Sequence, residues 1–370
     1  MSSIIEYIEK YGGCDFEEKQ FNDVDGLILA QFSYLKFDGI VPGVGKDVED
    51  IYMKDIIKDS NYENLYADDR YAKNNRALIE CMAASKRYGM MRLNYYINLV
   101  SRRWEMQFSA IVCFIPGDIP VVVYRGTDES IIGWKEDFNM AYMTPIPAQI
   151  KAVDYMNFVS ERIRGSYRVA GHSKGGNLAV YASMKVPNSI QAKIDRIYSY
   201  DGPGFTKEAL QDGDYLQIKS RVRKLVPKAS IVGMLLQCQE EYSVVESKHI
   251  GILQHDPYNW VVDDDDFVHV DNVDELAVIQ NKAINEWAQN TDSDEMRLFV
   301  NQMFEVVEAI GINDLNDFKG NYAEILKRFT LEIERLDENT KELMRAVFKS
   351  LFNIFIETVK NQAGISRTNE

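Results

Sequence analysis

Residues 167–185 read YRVAGHSKGGNLAVYASMK, and this stretch decides the fold. Its first four residues are typical of a short buried strand, and Asn177 to Lys185 is predicted to form a helix. Between them, residues 171–175 read GHSKG, a G-x-S-x-G pentapeptide with a strand before it and a helix after it, as a nucleophile elbow requires. The sequence therefore predicts that Ser173 is held at a sharp turn between a strand and a helix.

The two glycines of the pentapeptide are expected to have a steric role. A residue at the apex of so sharp a turn takes strained backbone angles, and Cβ atoms two positions to either side would collide with neighbouring strands. Gly171 and Gly175 lack those atoms, so the Ser173 hydroxyl is expected to lie exposed above the helix N-terminus. There the backbone N–H of Lys174 and the helix dipole can stabilise an oxyanion. The alternative is a tight turn whose serine only caps the helix.

Strands and helices alternate on both sides of the elbow. Gln107–Ile115 and Pro120–Tyr124, joined by a PGD turn, are predicted to form a β-hairpin. Lys151–Arg164 has helical spacing, Ile194–Tyr200 is a predicted strand, and Tyr242–Glu246 is predicted to be the last strand. This alternation favours an α/β fold with a mostly parallel sheet flanked by helices.

The regions before and after this body are predicted to be helical. Asp23 is the expected N-cap of a first helix, and residues 68–92 favour another. After about residue 270 the strand patterns stop, and helical spacing follows over Asp274–Trp287, Glu295–Ile310 and Leu336–Lys360. The predicted division has three parts: an N-terminal helical segment over residues 1–94, an α/β core over 95–270 and an appended all-helical region over 271–370.

Composition narrows the class of protein and of partner. With 370 residues, 46% of them hydrophobic, the chain can bury a large core and is not a disulfide-stapled miniprotein. A net charge of −15 would repel a phosphate backbone, so no nucleic-acid partner is expected. The cysteines have no metal-site spacing, and no metal or organic cofactor is implied. With no secretory signal and no transmembrane segment apparent, the expected location is cytoplasmic.

Motifs around the elbow resemble those of a known superfamily. YRGT at residues 124–127, followed by Trp134 and Asp137, resembles the strand-to-loop element of class 3 (fungal-type) lipases in the α/β-hydrolase superfamily, and GHSKGGN resembles their GHSLGG elbow. QFSA at residues 107–110 and DGPGF at 201–205 are similar to an uncharacterised bacterial family of lipase-like proteins, known as a domain of unknown function. The resemblance implies an α/β-hydrolase-like fold. It also implies an oxyanion hole made by the Lys174 N–H and the backbone or hydroxyl of Thr127.

A serine nucleophile needs a base, and the chain has 4 histidines. His172 is next to the nucleophile in the elbow, so its side chain is expected to point away. In the superfamily that the chain resembles, the base lies on a loop after the last strand, where both His249 and His255 qualify, while His269 lies beyond an acidic run. His255 is preferred because its polar neighbours are typical of an exposed loop tip. Its QHDP context also matches the lipase-like family.

The third member of a triad must hold the imidazole in one tautomer. Asp201 closes the predicted strand 194–200, so its carboxylate should emerge at the same sheet edge as Ser173. The chain order Ser173, Asp201, His255 is that of α/β-hydrolases. In class 3 lipases the acid follows the next strand, where this chain has Ser230. Either the acid has moved to Asp201 or the triad is incomplete.

Two charged features have competing interpretations. Lys174 stands where lipases usually carry an apolar residue, and its ammonium could contact an anionic substrate group. It could equally form a salt bridge with a carboxylate such as Asp128 or Asp137. The acidic run 263–266 lacks the spacing of a calcium loop and is interpreted as a solvated face.

These residues predict a serine hydrolase that cleaves a carboxylic ester, acyl lipids included, through an acyl-enzyme. Ser173 would attack, His255 would transfer the proton and Asp201 would orient His255. The expected partner is a small acyl ester, and transient contact with a membrane surface is compatible with the sequence. Tyr62, Tyr66 and Tyr71 or the C-terminal helices could cover the site, and those helices could also form an oligomer interface.

Two other functions remain open on the same residues. One is a different acyl chemistry on the same triad, as in a thioesterase, peptidase or acyltransferase. The other is a catalytically inactive hydrolase fold that acts as a binding or scaffold protein, which an incomplete triad would favour.

Overall fold

The computed structural model describes residues 2–46, 48–67, 71–211, 213–238, 240–249, 251–312 and 322–342, apart from 335, 337 and 339. The strands of these ranges are β1 Ile51–Tyr52, β2 Arg92–Ser101, β3 Met106–Phe114, β4 Val121–Tyr124, β5 Tyr167–His172, β6 Ile194–Tyr200, β7 Val222–Pro227, β8 Tyr242–Val245, β9 Val262–Asp263, β10 Asp266–Phe267 and β11 His269–Val270. The α-helices are α1 Ile4–Tyr11, α2 Asp23–Phe32, α3 Met53–Ile56, α4 Ala72–Ala84, α5 Lys86–Gly89, α6 Ile131–Asn139, α7 Pro147–Ser160, α8 Lys174–Lys185, α9 Asn188–Gln191, α10 Lys207–Gln211, α11 Asp214–Ile218, α12 Glu275–Asn290, α13 Ser293–Ala309 and α14 Tyr322–Ile333.

Within these ranges a nine-stranded sheet has the order β1-β2-β3-β4-β5-β6-β7-β8-β11. Strands β4 to β8 pair in parallel at its centre. The pairs at both edges are antiparallel, including the predicted hairpin of β3 and β4. The expected α/β fold class is confirmed, with the parallel pairing confined to the central strands.

Both faces of the central strands are buried because helices cover each side of the sheet. Successive strand residues point to opposite faces. Along β4, Val121 and Val123 therefore pack with α1, α2 and α4, whereas Val122 and Tyr124 pack with α7 and α8. The N-terminal helices thus share a core with the sheet. The division of the chain at residues 94 and 270 stays a prediction.

Two local predictions were wrong, each for a physical reason. The N-cap of α2 is Asn22 rather than Asp23, because the Asn22 side chain accepts from the N–H groups of Val24 and Asp25. Tyr242–Glu246 is not the last strand, since β11 pairs with β8 antiparallel. A two-residue strand shows no alternation that a sequence pattern could reveal. Most of the helix predicted over 336–360 lies outside the described residues.

The helices after the strands pack against the sheet and against α6. Ala277 of α12 packs against Val226 of β7 and Val244 of β8. Phe304 of α13 packs edge-on against Phe138 of α6, with ring centroids 5.8 Å apart. Neither these helices nor any other in the described ranges has the length and apolarity to cross a bilayer.

Candidate active site

The turn after β5 has the geometry of a nucleophile elbow. Ser173 is the N-cap of α8 and has φ 58° and ψ −133°, a strained combination for a residue with a side chain. A Cβ on Gly171 would clash with the backbone of Gly175, and a Cβ on Gly175 would clash with the carbonyl oxygen of Tyr124. The glycines are therefore required on both sides of the serine.

Asp201 and His255, which are 54 positions apart in the chain, are in direct contact. His255 ends a 3-10 helix over Gly251–His255, and its Nδ1 lies 2.6 Å from Oδ2 of the fully buried Asp201. Asp201, which follows β6, also has positive φ, at 49°. Because a carboxylate only accepts hydrogen bonds, Nδ1 of His255 carries the proton. Nε2 is then the nitrogen that can take a proton from a nucleophile.

The second carboxylate oxygen of Asp201 also accepts hydrogen bonds. Its Oδ1 accepts from Ser230 Oγ at 2.5 Å and from the backbone N–H of Gly233 at 3.1 Å. Ser230, which follows β7, thus donates to the carboxylate that follows the neighbouring strand β6. Its role was not anticipated, because a serine after a strand carries no signal that it faces a carboxylate 29 residues away.

The His172 side chain does not point away from the candidate site, contrary to expectation, because it lines the same cavity as Ser173 and His255. Its Nε2 lies 2.8 Å from the carbonyl oxygen of His255, and its Nδ1 lies 3.0 Å from the hydroxyl of Tyr34. The two imidazole rings are 4.5 Å apart. Burial, with a contribution from the neighbouring His255, lowers the pKa of His172 well below its usual value. The neutral ring therefore donates from Nε2 to the carbonyl and accepts from Tyr34 at Nδ1.

Two backbone N–H groups, those of Thr127 and Lys174, belong to residues that line the same cavity as Ser173. Among the described residues, neither the Lys174 N–H nor the Thr127 N–H has a hydrogen-bond acceptor. The Thr127 hydroxyl, the other oxyanion donor considered, donates to Asp137 Oδ2 at 2.5 Å. The structure therefore leaves the backbone N–H groups, and not this hydroxyl, available to an oxyanion.

Asp137 is a perturbed carboxyl beside these donors. Its side chain is 26% exposed, yet its Oδ1 is shielded from water and has no hydrogen-bond partner among the residues that the structure describes. Burial raises its pKa to about 6, although Lys174 and the Thr127 hydroxyl act to lower that pKa. The oxyanion side thus contains a carboxyl group that is only partly compensated.

The Lys174 side chain is an internal ion-pair partner. Its Nζ lies 3.0 Å from Glu136 Oε2 and 2.8 Å from Gln107 Oε1, and it also donates to the Gln107 carbonyl at 3.0 Å. Asp137 Oδ1 is farther away, at 3.8 Å. Asp128 pairs instead with Arg125. Of the two interpretations of Lys174, the structure therefore shows the salt bridge, and the nearest carboxylate is that of Glu136.

A cavity of about 390 Å³ joins the two sides, and both Ser173 and His255 line it. Most of its other lining residues are apolar or aromatic: Tyr71, Trp134, Phe138, Met140, Ala141, Pro203, Ile231, Val232, Leu235, Leu236, Leu253, Pro257, Ile284, Trp287 and Ala288. Within the described residues no hydrogen bond joins the Ser173 hydroxyl to His255. The arrangement therefore has an oriented imidazole and an open serine in one largely apolar space.

The other residues considered from the sequence lie elsewhere. His249 and His269 do not line this cavity, and neither do Tyr62 and Tyr66. His269 lies on β11, where its Nε2 is 3.4 Å from Asp266. The structure thus brings together Ser173, His255, Asp201, Thr127 and Lys174, and it leaves the two alternative histidines apart from them.

Comparisons with known proteins place the chain in a family. The family model described as Mbeg1-like matches residues 82–305, about three fifths of the chain. Among curated proteins, no sequence matches the chain.

Solved structures of lipases are similar to parts of the chain. The native propeptide complex of Rhizomucor miehei lipase is 15% identical over 45% of this chain, with a TM-score of 0.33, and the chain spans 58% of that lipase. The M37 lipase is 16% identical over 58% of this chain and 70% of its own, with a TM-score of 0.37. A triacylglycerol lipase whose catalytic centre is a serine protease triad is 13% identical over 60% of this chain and 78% of its own, with a TM-score of 0.36. Such low values carry no argument about the site.

Proposed function

The chain belongs to the Mbeg1-like family, and from the geometry of its cavity we propose that it is a serine hydrolase that cleaves a carboxylic ester through an acyl-enzyme. The observation that carries the proposal is that the strained Ser173 and the Asp201-bound His255 line one cavity. Strained backbone at a polar residue in a cavity is a feature of functional sites.

In the proposed reaction the Ser173 hydroxyl attacks the ester carbonyl. His255 Nε2 takes the hydroxyl proton, and the resulting oxyanion accepts from the Lys174 and Thr127 N–H groups. The intermediate then collapses, the C–O bond to the alcohol breaks, and His255 returns the proton to the leaving alkoxide. Water, deprotonated by the same imidazole, then attacks the acyl carbon. The bond from that carbon to Ser173 Oγ breaks, the acid is released, and the imidazole returns the proton to Ser173. Throughout, Asp201 holds the imidazole and stabilises its charge.

The lining of the cavity supports an ester with an apolar acyl group. Aromatic and aliphatic side chains surround Ser173, and the Lys174 ammonium is already paired with Glu136. An anionic substrate group would therefore find no free ammonium at this position. A thioester or an activated amide would fit the same geometry, so a panel of acyl donors with a common chain separates the reaction classes.

The direct test is labelling with a small fluorophosphonate, which phosphonylates an activated serine with loss of fluoride. We expect the wild-type chain to be labelled and Ser173→Ala to remain unlabelled. Ser183→Ala is the matched control, because Ser183 is a buried serine of α8 whose hydroxyl donates to the Ala179 carbonyl within its own helix. Labelling that persists in Ser173→Ala would refute the proposal.

One observation favours a second candidate, a hydrolase fold that binds a ligand without turnover. The Ser173 hydroxyl and His255 are not joined by a hydrogen bond in the described structure. Catalytic hydrogen bonds are often long in the absence of substrate and tighten when it binds, so reactivity of Ser173 towards the probe decides between the two candidates. Folded wild-type protein that resists the probe and hydrolyses no acyl donor would support the binding protein.

A further inference from the structure

Helix α12 lies after the strands, yet four of its residues line the cavity that holds Ser173. These are Ile284, Asn285, Trp287 and Ala288. Trp287 also packs edge-on against Phe299 of α13, with ring centroids 5.6 Å apart. The appended region therefore contributes a wall of the cavity.

Two asparagines, one helical turn apart, attach α12 to the loop over residues 230–236. Asn285 accepts from the Leu236 N–H at 2.8 Å and donates to the Met234 carbonyl at 2.9 Å. Asn281, which is buried, donates to the Ser230 carbonyl at 2.7 Å. These bonds use side-chain amides to pair backbone groups, so they fix both the distance and the orientation of the helix.

The same loop reaches the proposed acid. It supplies the Ser230 hydroxyl and the Gly233 N–H that bind Asp201, and four of its apolar side chains line the cavity. The position of α12 is thereby tied to the position of the acid. A wall fixed in this way can define the shape of a binding site, because its backbone contacts leave it little freedom to move.

The space between α6 and α12 is apolar. The residues that α6, the 230–236 loop and α12 contribute to the cavity are apolar except for Asp137 and Asn285. Asp137 lies beside Thr127 and Lys174, and Asn285 is bonded to the loop backbone. A volume of about 390 Å³ lies in the range of small-molecule sites, and such a lining binds hydrocarbon better than a polar group.

We propose that α12 is one wall of an acyl-chain site, and that its side chains at positions 284 and 288 set the length of chain that the site accepts. The inference rests on the proposed function for its catalytic consequence. The occupant is the hydrocarbon chain of the substrate acyl group, held between α6 and α12. Dodecanoate is a suitable probe because it has this chain and cannot be turned over.

The test compares two alanines of α12. Ala288 lines the cavity, whereas Ala283 is exposed and does not. By isothermal titration calorimetry of the full chain, we expect Ala288→Trp to weaken dodecanoate binding at least tenfold and Ala283→Trp to leave it unchanged. Equal affinity in both variants, or no binding to the wild type, would overturn the acyl-chain site.

A second readout separates this inference from the proposed function. With fluorophosphonates that carry an ethyl or a dodecyl chain, Ala288→Trp should lower the dodecyl-to-ethyl ratio of labelling rates at least tenfold. An unchanged ratio, with the ethyl probe still reacting, would refute the wall and leave the hydrolase intact. If the ethyl probe does not label the wild type, the proposed function fails and calorimetry alone decides on the wall.

Should Ala288→Trp fail to fold, Ile284→Ala provides the converse test. Ile284 is 39% exposed, so its truncation removes little core packing and enlarges the cavity. We expect the labelling rate to peak at a longer alkyl chain than in the wild type. A peak at the same chain length would contradict the inference.

Discussion

The two sides of Ser173 differ in how completely their polar atoms are satisfied. On the acid–base side both Asp201 oxygens are hydrogen-bonded, and His172 is held between Tyr34 and the His255 carbonyl. On the oxyanion side, within the described structure, the Thr127 and Lys174 N–H groups have no acceptor and Asp137 Oδ1 has no donor.

This difference separates two tasks. Groups that orient a base must be fixed before the substrate arrives, whereas groups that stabilise developing charge must be fixed in place but unoccupied. The acid–base side meets the first requirement, and the two open N–H groups meet the second. Asp137, whose Oδ1 has no donor among the described residues and whose pKa is raised by burial, lies beside the open N–H groups.

Asp201→Asn should have the largest effect, because it removes the carboxylate that orients the His255 imidazole. The amide keeps the volume, but it no longer stabilises the imidazolium and can hold the wrong tautomer. We expect fluorophosphonate labelling to slow by a factor on the order of 10³–10⁴. Asp195→Asn, on β6 but with its side chain 54% exposed, is the control. Labelling within tenfold of the wild-type rate would remove Asp201 from the acid role.

Lys174→Met tests whether the ammonium on the open side is structural. It leaves Glu136 buried without its counter-charge, so the free energy of unfolding should fall by about 3–5 kcal/mol in urea titrations. Lys151→Met removes an exposed pair with Asp154 and should cost less than about 1 kcal/mol.

The same variant keeps the backbone N–H at position 174. We therefore expect the folded fraction of Lys174→Met to be labelled within a few-fold of the wild-type rate. If labelling is abolished while the near-UV circular dichroism of the folded protein is unchanged, the Lys174 side chain acts on the substrate directly. That result would restore the anionic-substrate interpretation.

The sequence predicts the elements whose signals are local. The strand and helix around Ser173 have distinct periodicities, and the glycines at 171 and 175 mark the turn. The pairing of Asp201 with His255 could also be anticipated, because strand ends in a parallel sheet meet at one edge. The order of elements left both His249 and His255 open, and the choice of His255 also needed its polar neighbours and the resemblance of its QHDP context to the lipase-like family.

The contacts that the sequence did not predict are long-range ones between polar side chains. Tyr34 meets His172 across 138 positions, and Asn285 meets the 230–236 loop across about 50. A polar residue in a helix or loop has the same local pattern whether it faces water or a buried carbonyl, so its partner appears only once the chain is folded.

The raised pKa of Asp137 should be detectable in the pH dependence of the free energy of unfolding. Burial raises its pKa to about 6 in the folded state, compared with 3.8 when it is unperturbed. Between these values the folded state holds a proton that the unfolded state has lost. The contribution of Asp137 to stability therefore falls as the pH rises from about 4 through the folded pKa near 6, and it levels off by about pH 7.

Urea titrations of wild type and Asp137→Asn at pH 4, 5, 6 and 7 check this sign. The wild type should lose roughly 2 kcal/mol relative to the variant between pH 4 and 6, with only about 0.3 kcal/mol more by pH 7. Asp154→Asn, which changes an exposed carboxylate, should show no such window. A constant difference between wild type and Asp137→Asn would mean that Asp137 is ionised throughout.

Tyr34→Phe should give the smallest effect, because it loosens the fixed side without touching the triad. It removes the donor to His172 Nδ1, and an intramolecular hydrogen bond to a buried group contributes about 1 kcal/mol. We expect labelling to slow by up to about tenfold, and with ester substrates the loss should fall on kcat rather than KM, since the misplaced group is the base. Tyr66→Phe, which loses a hydroxyl bonded to Tyr62 away from the cavity, should retain the wild-type rate. A loss of stability with an unchanged kcat would make the contact between Tyr34 and His172 a packing feature, and the fixed side would then depend on Asp201 alone.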